Sequence, residues 1–193
     1  MVRKTGKQFV FRIIAGDLKG EKITAPDLGV TRPPLSRLRK SVFDFLQPYL
    51  QGANYLDLFS GTGSYLFEAV SRGATRAVGV EKENRLVDAI NRQSEALNIS
   101  DRLVCLNKDV FRAIPELAVK QQKFDIIMVA PPQYKGLIER TLQTLRKSGI
   151  LKPQGLLVCQ HATSETKDII LAGFSDLQRR KYGNTTFTVL GSG

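Results

Sequence analysis

Tyr55-Leu56-Asp57-Leu58-Phe59-Ser60-Gly61-Thr62-Gly63-Ser64 decides the fold. Tyr55 to Phe59 is a short apolar run bounded by turn formers, which suits a fully buried strand. Two glycines follow, one residue apart. Ser64 to Ser71 then carries helical spacing through Leu66, Phe67, Ala69 and Val70. A strand, a glycine turn and a helix in succession bring a ligand onto bare backbone N–H groups at a helix start. Glu81 closes the next apolar run, Ala77 to Val80, where a carboxylate can accept hydrogen bonds from ribose hydroxyls.

Two cofactor classes use such a turn, and the details separate them. A dinucleotide fingerprint needs a third glycine three residues after the second, and Leu66 stands there. Asp57 lies inside the strand just before the turn. A carboxylate so placed repels pyrophosphate and attracts the sulfonium and ammonium of S-adenosylmethionine. The stretch is therefore expected to be an S-adenosylmethionine site.

The flanking chain alternates strand and helix. Strands are expected at Tyr55–Phe59, Ala77–Val80, Leu103–Leu106, Phe124–Val129 and Gly155–Gln160. Helices are expected at Ser64–Ser71, Asn84–Leu97, Phe111–Leu117 and Leu137–Ser148, with a short one around Glu165–Leu171. Such alternation means right-handed crossovers and a mainly parallel sheet. The segments Phe174–Tyr182 and Thr185–Leu190 meet at Gly183-Asn184, a tight-turn signal. A closing hairpin would complete seven strands with one antiparallel C-terminal strand.

Residues 1–50 form the basic part and residues 51–193 the α/β domain. Gln8 to Gly16 reads as a strand, with Leu18 to Ile23 as its hairpin partner and Gly16-Asp17 as the turn. A two-stranded ribbon is marginal alone, so it should pack on the main domain. Thr31-Arg32-Pro33-Pro34 is extended, and Ser36 can cap a helix from Arg37 to Leu46. Arg32, Arg37, Arg39 and Lys40 cluster there, at a helix end where arginine opposes the dipole. Phosphate contact is the expected use.

At 193 residues and 42% apolar, the chain is long enough for a full core. Its net charge is +11 with an isoelectric point near 9.9, which a partner carrying phosphates explains and a small metabolite does not. No run of about 18 apolar residues spans a membrane, and the start at Met1 is no secretory signal. Cys105 and Cys159 sit in apolar runs and His161 has no ligand partner nearby, so no metal is expected. A cytoplasmic monomer is expected.

In open parallel sheets ligands bind at the carboxyl ends of the strands. Gly61 and Gly63, Glu81, Asp109, and Ala130-Pro131-Pro132-Gln133-Tyr134 fall at four successive ends. Asp109 can accept from an adenine amino group.

These residues resemble a known family, the bacterial enzymes that methylate the N2 amine of a guanine in 16S ribosomal RNA. The resemblance covers nearly the whole chain. It is carried by Arg12-Ile13-Ile14-Ala15-Gly16, Leu18-Lys19-Gly20, Ser36-Arg37-Leu38-Arg39, Leu56 to Gly63, Arg72-Gly73-Ala74, Val80-Glu81-Lys82, Phe124 to Ile127 and Lys181 to Thr186. It implies a class I, Rossmann-like methyltransferase with a small N-terminal hairpin and helix. Asp57, Phe59, Gly61, Gly63, Glu81, Lys82, Asp109 and Val110 would hold S-adenosylmethionine. Arg12, Lys19, Arg32, Arg37, Arg39 and Lys40 would grip RNA phosphates, on 16S RNA or the small-subunit particle. Ala130 to Tyr134 would present the base.

The chain departs from the family at one point. An acid or amide is usual where Ala130 stands. That side-chain oxygen helps aim the lone pair of a poorly nucleophilic amine. Ala130 has no such acceptor, which leaves three readings open: Gln133 with the Ala130 carbonyl substitutes, Tyr134 being the stacking group; the atom methylated differs; or RNA and cofactor are bound without turnover. The alternative is a non-catalytic RNA-binding or ribosome-assembly protein.

Overall fold

A computed structural model describes residues 7–29, 36–167 and 174–191. Arg32 and most of the expected 165–171 helix lie outside them; within them, Thr163–Glu165 is a 3₁₀ turn.

A seven-stranded sheet forms the body. Its strands are β3 (Asn54–Asp57), β4 (Arg76–Glu81), β5 (Leu103–Asn107), β6 (Phe124–Val129), β7 (Leu151–Ala162), β8 (Ser175–Tyr182) and β9 (Thr185–Gly191). They lie in the order β5-β4-β3-β6-β7-β9-β8. The first five are parallel, and β9 runs antiparallel between β7 and β8. This is the class I methyltransferase arrangement the resemblance implies.

The two faces of the sheet follow from strand alternation. Tyr55, Ala77, Ile126, Met128, Val158 and Val189 point to one face. There they meet α1 (Ser36–Leu50), α2 (Ser64–Ser71) and α3 (Asn84–Ala96). Leu56, Val78, Val80, Ile127, Val129 and Cys159 point to the other, against α4 (Val110–Val119) and α5 (Leu137–Ser148). Helix α1 runs past Pro48 to Leu50 because Leu46 and Leu50 are fully buried. Among the described residues no helix is long and apolar enough to cross a membrane.

The N-terminal hairpin pairs β1 (Gln8–Arg12) with β2 (Lys22–Pro26), Arg12 opposite Lys22. The partner strand thus lies beyond the expected Leu18–Ile23, because α2 claims the intervening loop. The Asp17 amide donates to the Ser71 carbonyl at 2.8 Å and the Leu18 amide to Ser71 Oγ at 3.0 Å. Gly16, at φ 86°, lies so close that a Cβ there would sit 1.7 Å from that carbonyl oxygen. Phe11, Ile13 and Ile23 join the same apolar cluster as Tyr55 and Phe67.

Glu68, fully buried in the middle of α2, ties these parts together. Its carboxylate accepts from the Ile14 and Ala15 amides at 3.0 and 3.2 Å and from Arg72 Nε at 2.8 Å. Arg39 Nε lies 3.6 Å away. Replacing Glu68 by Ala leaves the buried Arg39 without its anion and Arg72 with only the more exposed Asp44, and should cost about 3 to 5 kcal/mol in stability. Urea unfolding measures this; a loss below about 1 kcal/mol would show that water reaches the cluster.

Candidate active site

The carboxyl ends of β3, β4, β5, β6 and β7 come together along one edge of the sheet. Asp57 ends β3 and is fully buried beneath the glycine turn. Its Oδ1 accepts a long bond from the Phe59 amide, 3.4 Å, while Oδ2 is buried without a partner among the described residues. Burial first, and the nearby Glu81 charge second, push this carboxyl up to about 7 against the pull of the Phe59 N–H. A buried anionic oxygen left unpaired is costly, and it is what a cationic ligand would satisfy.

Ser60 ties the turn to β4. Its Oγ donates to the Asp57 carbonyl at 3.0 Å and accepts from the Val80 amide at 3.1 Å. Gly63 caps α2 at φ 77°, and a Cβ there would approach Ile90 Cγ1 to 2.8 Å. Glu81 ends β4 with its carboxylate bridging back: Oε2 accepts from the Gly61 amide at 2.8 Å, Oε1 from the Lys82 and Glu83 amides at 2.8 and 3.0 Å. Asp109 caps α4 by accepting from the Phe111 amide at 2.8 Å, with Val110 buried behind it. Between the ends of β4 and β5 lies a cleft of about 300 Å³ lined by Lys82, Asn107, Lys108, Asp109, Arg112 and Glu116. A larger one, about 410 Å³, lies between β2 and α3, and its lining holds no residue of the glycine turn.

Beyond β6, Ala130 is half-buried, Pro131 buried and Pro132 exposed. Gln133 Nε2 donates to Thr185 Oγ1 at 3.4 Å, toward β9. Tyr134 is 70% exposed and left-handed at φ 62°. Such a conformation is strained for a bulky residue. Glu165 restrains it, accepting from the Tyr134 amide at 3.1 Å and the Ala162 amide at 3.0 Å. Glu165 was not singled out in the sequence; it lies three residues past the end of β7, in the Thr163–Glu165 turn, and no local signal marks its bond to the loop after β6.

A family model described as conserved hypothetical protein 95 matches residues 11–191. The chain belongs to that family. The Escherichia coli K12 ribosomal RNA small subunit methyltransferase D is 31% identical over 170 residues, 88% of this chain and 83% of that protein. An Escherichia coli structure provisionally described as a methyltransferase matches with a TM-score of 0.83 and 25% identity, over 96% of this chain and 98% of that one. A T. thermophilus 16S rRNA N2 G1207 methyltransferase, in complex with AdoMet and guanosine, shares the fold. Its TM-score is 0.74 at 21% identity, over 97% of this chain and 50% of that one.

In this family member the basic residues divide. Arg12, Lys19 and Arg37 are exposed, with Arg12 Nη1 donating to the Gly20 carbonyl at 2.8 Å. Lys40 is exposed and pairs with Asp44 at 2.5 Å. Arg39 corrects the expectation: it is 2% exposed and out of reach of any phosphate. Its Nη2 donates to the Arg12 carbonyl at 2.6 Å, and its guanidinium lies 5.0 Å from the Phe11 ring centre. Burial lowers its proton affinity and the charge of Glu68 opposes that. The side chain at odds with the helix dipole thus holds the hairpin.

His161 is a core residue, its Nδ1 2.7 Å from the Ala162 carbonyl and its Nε2 2.9 Å from Thr188 Oγ1. Cys105 and Cys159 are free and buried. Burial raises both thiols, Cys159 to about 12.

Because the folded pKa of Asp57 lies above its unfolded value, its contribution to stability is full below about pH 4 and is lost as pH rises through about 7. Relative to Asp57→Asn, the protein should lose on the order of 4 kcal/mol between pH 4 and 8. Denaturant midpoints for the two proteins across that range measure it; parallel curves would show that Asp57 is hydrated.

Proposed function

We propose that the protein is an S-adenosylmethionine-dependent RNA methyltransferase acting on the exocyclic N2 amine of a guanine in small-subunit ribosomal RNA. The observation that carries this is the unpaired, buried Oδ2 of Asp57 beside the Gly61–Gly63 turn. The donor set there suits a cation bearing an adenosine: one deep carboxylate, bare amides at a helix start, and acids at the next two strand ends. Likeness to an enzyme named for the small ribosomal subunit supports RNA as substrate. The guanosine held by the T. thermophilus protein of the same fold supports the base.

Asp57 would face the positive end of the cofactor, Glu81 its ribose and Asp109 its adenine, with Phe59, Lys82 and Val110 around them. S-adenosylmethionine supplies an electrophilic methyl carbon, whose bond to sulfur breaks with the electron pair staying on sulfur as the nitrogen lone pair forms the new bond. The loop from Ala130 to Tyr134 presents the base, flipped from any stack. Its prolines hold the backbone rigid, and Tyr134 stands out in solvent where an incoming base can stack. Proximity and alignment supply most of the rate. Arg12, Lys19, Arg37 and Lys40 would bind phosphates, and Arg32 with them.

Labelled S-adenosylmethionine with 16S RNA and with small-subunit particles tests the reading. The wild type should transfer label to guanine N2, located by nuclease digestion and mass spectrometry. Asp57→Ala should bind cofactor at least about tenfold more weakly. A wild type that binds cofactor and transfers nothing would overturn the enzyme, and label on another atom would overturn the N2 assignment. Separately, Lys19→Glu with Arg37→Glu should weaken RNA binding about tenfold at low salt and far less at high salt. Equal affinity at low salt would remove these residues from the RNA surface.

A further inference from the structure

Ala130 offers no side-chain acceptor, and Gln133 is turned toward Thr185. The sheet places another amide beside Ala130. Strands β6 and β7 are parallel with Val129 opposite Cys159. One residue further on, Ala130 follows the end of β6 and Gln160 stands on β7, so continuing the register sets the two side by side at about the strand spacing of roughly 4.8 Å. Val129 and Cys159 point to the α4–α5 face, so Ala130 and Gln160 point to the face of α1, α2 and α3. Asp57, paired with Met128, ends β3 on that same face.

Gln160 is half-buried, and its orientation is set from α2. The Tyr65 hydroxyl, in the first turn of that helix, donates to Gln160 Oε1. Tyr65 is buried, and burial together with the Asp57 charge keeps its hydroxyl protonated and so a donor. An amide oxygen accepts two hydrogen bonds, so one partner leaves a second lone pair. Its ordinary neighbours on β7 have structural work: Cys159 fills the opposite core and His161 bonds to Ala162 and Thr188.

We propose that Gln160, held by Tyr65, supplies the side-chain acceptor for the exocyclic amine that residue 130 lacks. This rests on the function proposed above. The amine would be aimed from two strands, by the loop after β6 and by the end of β7. Gln160 is then a catalytic residue and Tyr65 a positioning residue. A neutral amide takes no proton. It orients the nitrogen lone pair, the N–C bond forms as the S–C bond breaks toward sulfur, and the proton shed by the nitrogen passes to water.

Single-turnover methyl transfer from labelled S-adenosylmethionine to small-subunit RNA and particles tests this. The variants are Gln160→Leu, Gln160→Glu, Tyr65→Phe, and Gln160→Leu with Ala130→Asp. Gln160→Leu should lower the rate about a hundredfold while cofactor affinity, read by calorimetry, is unchanged. Gln160→Glu retains an acceptor and should stay within about tenfold of wild type, which covers the case where leucine disturbs folding. Tyr65→Phe should lower kcat about tenfold with little change in KM for RNA. Ala130→Asp should restore transfer to the leucine variant, which a merely structural role for Gln160 does not predict. If wild type transfers and folded Gln160→Leu transfers at the same rate, Gln160 is not the acceptor, while the methyltransferase reading stands. If wild type binds cofactor and transfers nothing, that reading fails and this proposal falls with it.

Discussion

The buried carboxylate of Glu68 is the point on which the architecture depends. It sits in α2, the helix whose first turn follows Gly63, and it holds two arginines from different elements and two amides of the hairpin loop. Charges this deep are tolerable only when paired and hydrogen-bonded. That requirement sets where the hairpin, α1 and α2 can lie relative to each other. Arg72 extends the cluster to Asp44 of α1 at 3.3 Å, and Arg39 extends it to the hairpin backbone. The helix that starts at the glycine turn is thus clamped from its far side.

The site sits on the other side of that clamp. Asp57, Ala130 and Gln160 share one face because parallel pairing keeps their strands in register. Tyr65 reaches Gln160 because α2 is pinned over that face. The costs are visible locally: an unpaired oxygen on Asp57 and a left-handed Tyr134. Both are held by neighbours, the first by the closed turn around Ser60, the second by Glu165. Local strain of this kind survives only where surrounding bonds over-determine it.

Much of this was legible in the chain. Apolar runs of period two and helical spacing located β6 and α5 to the residue, and the glycine pair marked the turn between β3 and α2. Those signals are local, arising from side-chain alternation and turn chemistry within a few residues. Long-range effects displaced other elements. The partner of β1 slid because Ser71 of α2 claims the loop, and α1 outlasted Pro48 because Leu50 is buried. Arg39 looked like its exposed neighbours Arg37 and Lys40, since residue type says nothing of which helix side meets Glu68.

The sequence by itself determined the class of fold, the position of the glycine turn and the acids at successive strand ends, because each depends on contiguous residues. Only the tertiary structure decided that Arg39 is a strut, that Glu165 restrains Tyr134, and that Gln160 stands beside Ala130. Those relations join residues 29 to 31 positions apart or in separate elements. They exist only once strand register and helix packing have brought distant backbone together, and no local pattern encodes that distance.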